Sequence, residues 1–475
     1  MTQNPADRDV PLAVDMDGTL LRTDTLLESF WKGLGAAPLA TLRIAFRHWR
    51  DRPALKHALA ALAPLDPATL PVDAQVVDFL DAERATGRHV ALVSGAAAPV
   101  VAAVAAALGP FDAVQGSDRR TNLTAARKAA WLSDRYGAQG FDYIGDSAAD
   151  VPVWQAARRA YVARPSGRFL RRMSDAGLTP LPIGMPWDPL ALLRGLRPHQ
   201  WLKNTLLILP LVAAHRWDLG GLGAVLLGFV AFSALASSIY ILNDLTDLEA
   251  DRRHDSKRHR PFAAGAVPLR VAMVASAGLA VLGLGLGALL GWGMLAVLVT
   301  YLITTSAYSV QLKRVRWADV TTLAGLYTLR VIAGGVATGA AASGWLVGFI
   351  FPMFLALGCV KRLTELARAE TEDYLPGRRY RRSDRQDLMN IAILAAGAAV
   401  AVFAFYTRSP DAALLYDRGW LLGPVAVLLT AWLARMIGTG WRGQQDYDPI
   451  VFALTDRIGL SLIVAAGVVL VIAAG

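Results

Sequence analysis

The residues with the densest potential chemistry are Asn243-Asp244-Leu-Thr-Asp247-Leu-Glu249-Ala-Asp251, where a long apolar stretch ends. Asp244, Asp247 and Asp251 are spaced three and then four apart, which on a helix stacks them on one face. Carboxylates so close repel one another unless a cation lies among them. Hard oxygen ligands suit Mg2+, which commonly bridges carboxylates to substrate phosphates. A basic run, Arg252, Arg253, Lys257, Arg258 and Arg260, follows at once. Together they point to a metal-bound phosphate or diphosphate at a membrane surface; the plainer alternative is a solvated loop of mixed charge. Asn243 is either a further metal ligand or a helix-end cap. A second acidic group lies near the start. Pro11-Leu-Ala-Val14 reads as a short strand ending in Asp15-Met-Asp17-Gly18-Thr19, where the amides of the following turn can hold a phosphate.

The elements that position these groups are of two kinds. The chain has 475 residues, 54% of them hydrophobic, and more than one domain is expected. Residues 1–182 read as a soluble α/β domain. Residues 183–200, with Pro186, Pro189 and Pro198, read as a linker passing into an interfacial segment around Trp187 and Trp201. From residue 201 to 475 the apolar runs reach the roughly 20 residues that cross a bilayer. Nine spans are expected, at about 201–215, 221–243, 268–290, 292–312, 317–339, 345–365, 387–407, 418–437 and 457–474. The first is short and broken by Pro210. The fold class is thus multidomain, an α/β domain followed by an all-α membrane bundle.

With the N-terminus inside, the outer loops carry only Arg216, Arg408 and Arg418. The inner loops carry all the basic clusters, including Lys313, Lys361, Arg362 and Arg378 to Arg385. This bias sets the Asp-rich segment on the cytoplasmic face, with the C-terminus outside. The net charge of +10 is broadly spread and no nucleic-acid motif accompanies it. Cys359, the single cysteine, excludes an intrachain disulfide. The polar N-terminus carries no evident signal peptide. Asp319 and Arg330 interrupt the fifth span. An Arg at mid-membrane costs roughly 2.5–3.5 kcal/mol and faces a polar cavity or a structural partner; in such a cavity Arg330 would hold a phosphate.

Asn243-Asp244-x-x-Asp247-x-x-x-Asp251, Arg260-Pro261 and Tyr308-x-x-x-x-Lys313 resemble the first motif region of the UbiA superfamily of intramembrane transferases. The resemblance covers most of residues 190–475. It implies a nine-helix bundle in which Mg2+ on Asp244, Asp247 and Asp251 binds a diphosphate and a polyprenyl chain lies in a lipid-facing groove. Aromatic prenyltransferases of that superfamily carry a second D-x-x-x-D motif after the sixth span. Here that loop reads Lys361-Arg362-x-x-Glu365, Glu370-Thr-Glu372-Asp373 and Arg378-Arg379-Tyr380-Arg381-Arg382, which suits an anionic acceptor. Together with Leu329-Arg330-Val-Ile-Ala-Gly-Gly and Asp448-Pro449-x-x-Phe452-Ala453-x-x-Asp456-Arg457, it resembles the decaprenyl-phosphate phosphoribosyltransferase branch. That branch implies phosphoribosyl diphosphate as donor and polyprenyl phosphate as acceptor. Lys257 and Arg260 would clamp phosphates, and Arg330, Lys361 and Arg362 would hold the lipid phosphate. Prenyl transfer to an aromatic or other small acceptor, and a non-catalytic lipid-binding scaffold, are the alternatives.

Asp15-x-Asp17-Gly18-Thr19, Ser94-Gly95 after the strand at 89–93, Lys128, and Gly145-Asp146-Ser147-x-x-Asp150 after the strand at 141–144 resemble the four motifs of the haloacid dehalogenase (HAD) superfamily. The resemblance covers residues 11–165 and implies a Rossmann-like domain. In it Asp15 is the nucleophile and Asp17 the general acid and base. Thr19, Ser94 and Lys128 bind the phosphoryl group, and Asp146 with Asp15, supported by Asp150, holds Mg2+. Residues 20–75 would form a helical cap, with Phe30, Trp31, Ile44, Phe46 and Trp49 in its core. The fusion leads to the expectation of a bacterial inner-membrane enzyme with both sites cytoplasmic, in which phosphoribosyl transfer precedes 5-dephosphorylation.

Overall fold

The computed structural model describes residues 8–369, 374, 378–445 and 449–475. The expected acids Glu370, Glu372, Asp373 and Asp448 lie outside them. The chain divides into two compact units. One comprises residues up to Arg197 together with Tyr240–Ser276; the other comprises Pro198–Ile239 and Ala277–Gly475.

The first unit is built on six parallel strands: β1 (Leu12–Val14), β2 (Val90–Ala97), β3 (Ala113–Ser117), β4 (Asp142–Gly145), β5 (Arg159–Ala163) and β6 (Pro180–Ile183). Their order is β3-β2-β1-β4-β5-β6. The strands are buried on both faces, as βαβ crossovers require, which is why β1 and β2 read as unbroken apolar runs. Leu12, Val14 and Leu92 face one core; Ala13, Val93 and Tyr143 face the other. Register places the chemistry. Val14 lies beside Leu92 of β2 and Ile144 of β4, so Asp15, Ser94 and Asp146 emerge together at the carboxyl ends of three adjacent strands. This is where the strand order reverses and α/β sheets bind ligands.

The expected cap is present as α1 (Thr25–Ala36), α2 (Pro38–Arg47) and α3 (Arg52–Leu62), followed by α4 (Ala74–Ala85). Asp24, Asp51 and Asp73 cap α1, α3 and α4 through their side chains. Trp31 is buried, whereas Phe46 and Trp49 are exposed; only the former belongs to the cap core.

Among the described residues, eight helices are long and apolar enough to cross a membrane: Leu219–Thr246, Leu269–Leu289, Trp292–Val310, Arg316–Thr338, Gly344–Ala367, Arg382–Tyr406, Gly419–Trp441 and Arg457–Ala474. They match eight of the nine expected spans. The stretch at about 201–215 is instead a 3-10 segment, Pro198–Ile208, followed by the short helix Leu209–Ala213. Pro210 lacks the N–H that a continuous α-helix would use. In the second unit this segment packs closely on Arg316–Thr338. A Cβ at Gly334 would lie 1.9 Å from the Leu207 carbonyl oxygen, so only glycine permits the approach.

Candidate active sites

Asp15 leaves β1 nearly buried. Its Oδ1 accepts from the Met16 N–H at 2.8 Å, and its Oδ2 lies 2.9 Å from Lys128 Nζ. Lys128 comes from the helix Ala126–Tyr136, which we label α5 after the cap helices. It donates to the Tyr143 hydroxyl at 2.8 Å, and that hydroxyl donates to Asp150 Oδ1 at 2.7 Å. Burial alone would lower the Lys128 ammonium, but Asp15 and then Asp150 hold it above the ordinary lysine range. It is therefore a fixed positive charge beside Asp15. Asp17 turns away from the strand and accepts from both the N–H (3.0 Å) and the hydroxyl (3.1 Å) of Thr25. Burial, and secondarily the nearby Asp24, push its carboxyl well above the usual range, the direction a proton carrier requires.

Asp15, Asp146 and Asp150 place carboxylate oxygens within 4.8 Å of one another. Burial first, then Asp150 and Asp15, raise the Asp146 carboxyl to about 8. Negative charge is thus in excess at this point even with Lys128 present, and a divalent cation fits the donor set. Gly18, at φ +75°, packs here: a Cβ on it would lie 2.4 Å from Asp146 Oδ2. The buried hydroxyl of Thr19 has no hydrogen-bond partner among the described residues, and Ser94 is 1% exposed. The structure therefore gathers Asp15, Ser94, Lys128, Asp146 and Asp150 at one end of the sheet.

Three contributors carried no sequence signal. Lys56 of α3 donates to Asn122 Oδ1 at 2.7 Å and to the Gly95 carbonyl, bringing a cap cation to the Ser94-Gly95 turn. Tyr143 links Lys128 to Asp150. Arg164, after β5, donates to the Gly18 carbonyl and pairs with Asp73 at 3.0 Å. Each joins segments far apart in sequence, and no local pattern reports that.

In the Asp-rich segment the expected single helical face is interrupted. The helix ends at Thr246, Asp247 sits exposed at the break, and a short helix, Leu248–Arg253, follows. Asn243 lies inside the first helix, so it is not a helix-end cap. Asp244 and Asp251 are buried and still converge, because Arg260 Nη1 reaches both, at 3.2 and 2.7 Å; Arg197 adds a second contact to Asp244. Lys257 is half-buried in the turn before Arg260.

This segment is bound to the cap. Arg252 donates twice to Glu28, at 2.6 and 3.1 Å, with both side chains buried, and Lys32 pairs with Glu249 at 2.5 Å. Arg253 pairs with Asp66 at 3.0 Å and Arg270 with Asp24 at 2.9 Å.

In the second unit, Arg362 and Asp319 are both fully buried. Arg362 reaches Asp319 through Nε at 2.5 Å and through Nη2 at 3.0 Å, and it reaches Glu365 at 2.6 Å. Tyr308 and Arg378 add hydrogen bonds to Asp319 at 2.8 and 3.0 Å. Lys361 and Lys313 are half-buried. Arg330 is held by Asn204 (2.9 Å), the Leu326 carbonyl (2.7 Å) and the Tyr301 hydroxyl (3.3 Å), over the ring of Tyr301. These contacts already satisfy much of the guanidinium's hydrogen-bonding capacity.

A strand end that brings a lysine to three convergent carboxylates is the arrangement of a hydrolase domain of the haloacid dehalogenase type. An apolar helical bundle accompanies it, making the whole an integral membrane protein. Residues 12–155 match the haloacid dehalogenase-like hydrolase family, and residues 205–455 match the UbiA prenyltransferase family. The chain belongs to the UbiA prenyltransferase family and carries a HAD domain ahead of it. It is 36% identical over 464 residues to an uncharacterized protein of Sinorhizobium fredii, covering 95% of this chain and 88% of that one. It is 31% identical over 288 residues to the decaprenyl-phosphate phosphoribosyltransferase of Corynebacterium glutamicum, covering 56% and 81%. A solved UbiA homolog from Archaeoglobus fulgidus bound to GPP and Mg2+ aligns with a TM-score of 0.44 at 17% identity, covering 59% of this chain and 99% of that one.

Proposed function

We propose that the chain catalyses two successive reactions on one lipid: transfer of phosphoribosyl from phosphoribosyl diphosphate to a polyprenyl phosphate, then removal of the 5-phosphate by the HAD domain. The observation that carries this reading is the joining of cap and Asp-rich segment by three ion pairs within one compact unit, with a fourth from Arg270 of the next helix. Similarity to decaprenyl-phosphate phosphoribosyltransferases supports the choice of donor and acceptor.

In the first step the C1–O bond to diphosphate breaks through an oxocarbenium-like state, and a lipid phosphate oxygen forms the new bond at C1. Asp244 and Asp251 meet at Arg260 Nη1, so Mg2+ held by them, with Asp247 at the rim, would take the place of that guanidinium and leave Arg260 to the phosphates. Mg2+ there would neutralise the departing diphosphate. Lys257 and Arg260 clamp its phosphates. Lys361, Lys313 and Arg378 supply the cationic surroundings for the lipid phosphate, while Arg362 and Arg330 hold the helices that carry them. In the second step Asp15 attacks the 5-phosphate, with Lys128, Ser94 and Thr19 on the phosphoryl oxygens. Asp17 protonates the leaving ribose oxygen and then deprotonates the water that frees Asp15. Mg2+ on Asp15, Asp146 and Asp150 would offset phosphoryl charge. Counting residues 198–213 as an irregular span gives nine crossings, with both sites cytoplasmic and the C-terminus outside, in a bacterial inner membrane.

The test is a donor comparison on purified protein. Radiolabelled phosphoribosyl diphosphate with polyprenyl phosphate yields the dephosphorylated lipid, Asp15→Asn accumulates its 5-phosphate form, and Asp244→Asn yields neither. Label entering an aromatic acceptor from prenyl diphosphate instead would replace this reading with prenyl transfer. Unchanged product from Asp15→Asn would break the coupling of the two steps.

A further inference from the structure

Around Arg22, in the loop that follows Asp17, the first unit forms a cavity of about 420 Å³ that opens to solvent, within the range of small-molecule sites. Its wall brings together Arg22 from that loop, Arg164 after β5, Arg194 from the linker helix Pro189–Gly195 and His259 from the Asp-rich segment. Two carboxylates answer two of these charges. Asp73 pairs with Arg164 and Asp188 with Arg194, each at 3.0 Å, and both carboxylates also cap helices. Arg22 is the surplus. Its Nε is buried and finds no hydrogen-bond acceptor among the described residues. A buried guanidinium nitrogen without an acceptor is costly, and Arg22 and Arg164 repel each other across the cavity, as the lowered Arg164 guanidinium reflects after burial itself.

We infer that this cavity is a binding site for a phosphate group, separate from the Asp15 centre, with Arg22 as the donor that lacks an acceptor, the exposed Arg194 and His259 at its rim and Arg164 as its floor. A tetrahedral phosphate accepts from several guanidinium nitrogens at once, supplies the acceptor Arg22 Nε lacks and offsets the surplus positive charge. A carboxylate, planar and with two acceptor oxygens, engages fewer of these donors. His259 lies one residue before Arg260, which holds Asp244 and Asp251, and Arg164 touches Gly18 of the phosphatase loop. Phosphate bound here therefore contacts segments of both acidic sites.

The test uses full-length protein in detergent and radiolabelled inorganic phosphate in equilibrium dialysis. It is run with and without beryllium fluoride and Mg2+, which together cap a phosphatase aspartate. After capping, one phosphate per chain is expected to remain bound. Arg22→Gln and the exposed Arg194→Gln each weaken it at least tenfold, while hydrolysis of p-nitrophenyl phosphate stays within twofold. Displacement by ribose 5-phosphate at lower concentration than by inorganic phosphate identifies the occupant as a sugar phosphate; the reverse identifies the free ion. Capped wild type that binds no phosphate overturns the site, as does binding unchanged in both variants. Loss of hydrolysis in parallel with binding overturns its separateness from the Asp15 centre.

Discussion

Replacing Asp146 with Asn in protein stripped of divalent cations is expected to stabilise the first unit, and increasingly so as pH rises. The Asp146 carboxyl sits at about 8 in the folded protein, against an ordinary 3.8, because burial and then Asp150 and Asp15 oppose its ionisation. The folded form therefore holds a proton that the unfolded chain has lost across this window, and linkage makes stability fall as pH climbs from about 4 to about 8. The ceiling on that loss is roughly 5 kcal/mol. The carboxyl stays partly open to water and Arg164 lies near, so about half is expected. At roughly 2–4 °C per kcal/mol for a domain of this size, the variant should unfold about 5–10 °C higher than the parent at pH 8, with little difference at pH 4.5. Differential scanning fluorimetry in detergent with chelator measures it. Added Mg2+ should raise the parent's midpoint and leave the variant's nearly unmoved. Equal pH slopes for parent and variant would refute the crowding of charge at Asp146, and with it the reason given for a cation there.

Lys128→Met should lower phosphatase kcat at least a hundredfold, because the cation paired with Asp15 is lost; p-nitrophenyl phosphate turnover reads this. Gly18→Ala should nearly abolish the same activity, since its Cβ would collide with Asp146 Oδ2 and its φ of +75° disfavours a side chain. Arg252→Met leaves buried Glu28 without its partner and should cost about 3–5 kcal/mol. The double replacement with Glu28→Gln should recover much of that, which a thermal-midpoint cycle measures. Arg330→Met strands Asn204 Oδ1 and the Tyr301 hydroxyl in the second unit and should lower its stability by about 2–3 kcal/mol, read as loss of monodisperse protein on heating in detergent.

What could be read in the sequence followed from local rules. Asp15 was visible because a short apolar strand ends in two acids and a glycine, and Asp146 because the same pattern recurs after β4. The eight apolar helices were visible because span length and loop charge are local quantities. The Asp-rich spacing was visible, but the break at Asp247 and the contacts of Arg197 and Arg260 with Asp244 and Asp251 were not, since no local pattern reports them. Arg362 read as a holder of the lipid phosphate, and its pairing with Asp319, 43 residues away in sequence, was not legible. The segment from 198 to 213 read as a span by its apolarity, while its proline placement turned it into a 3-10 path.

The first unit is discontinuous, and this orders events during synthesis. Its sheet is complete at Ile183, yet Glu28, Asp24 and Lys32 of the cap find their partners only when Arg252, Arg270 and Glu249 have left the ribosome. At about 5–20 residues per second, the cap waits several seconds with its carboxylates unpaired, while an apolar helix is handed to the membrane. The nascent chain thus carries a cap whose acids gain their cationic partners only after the first membrane helix is made. A chain truncated after the linker should keep its cap on the sheet through Lys56 and His57, with Glu28 lacking Arg252.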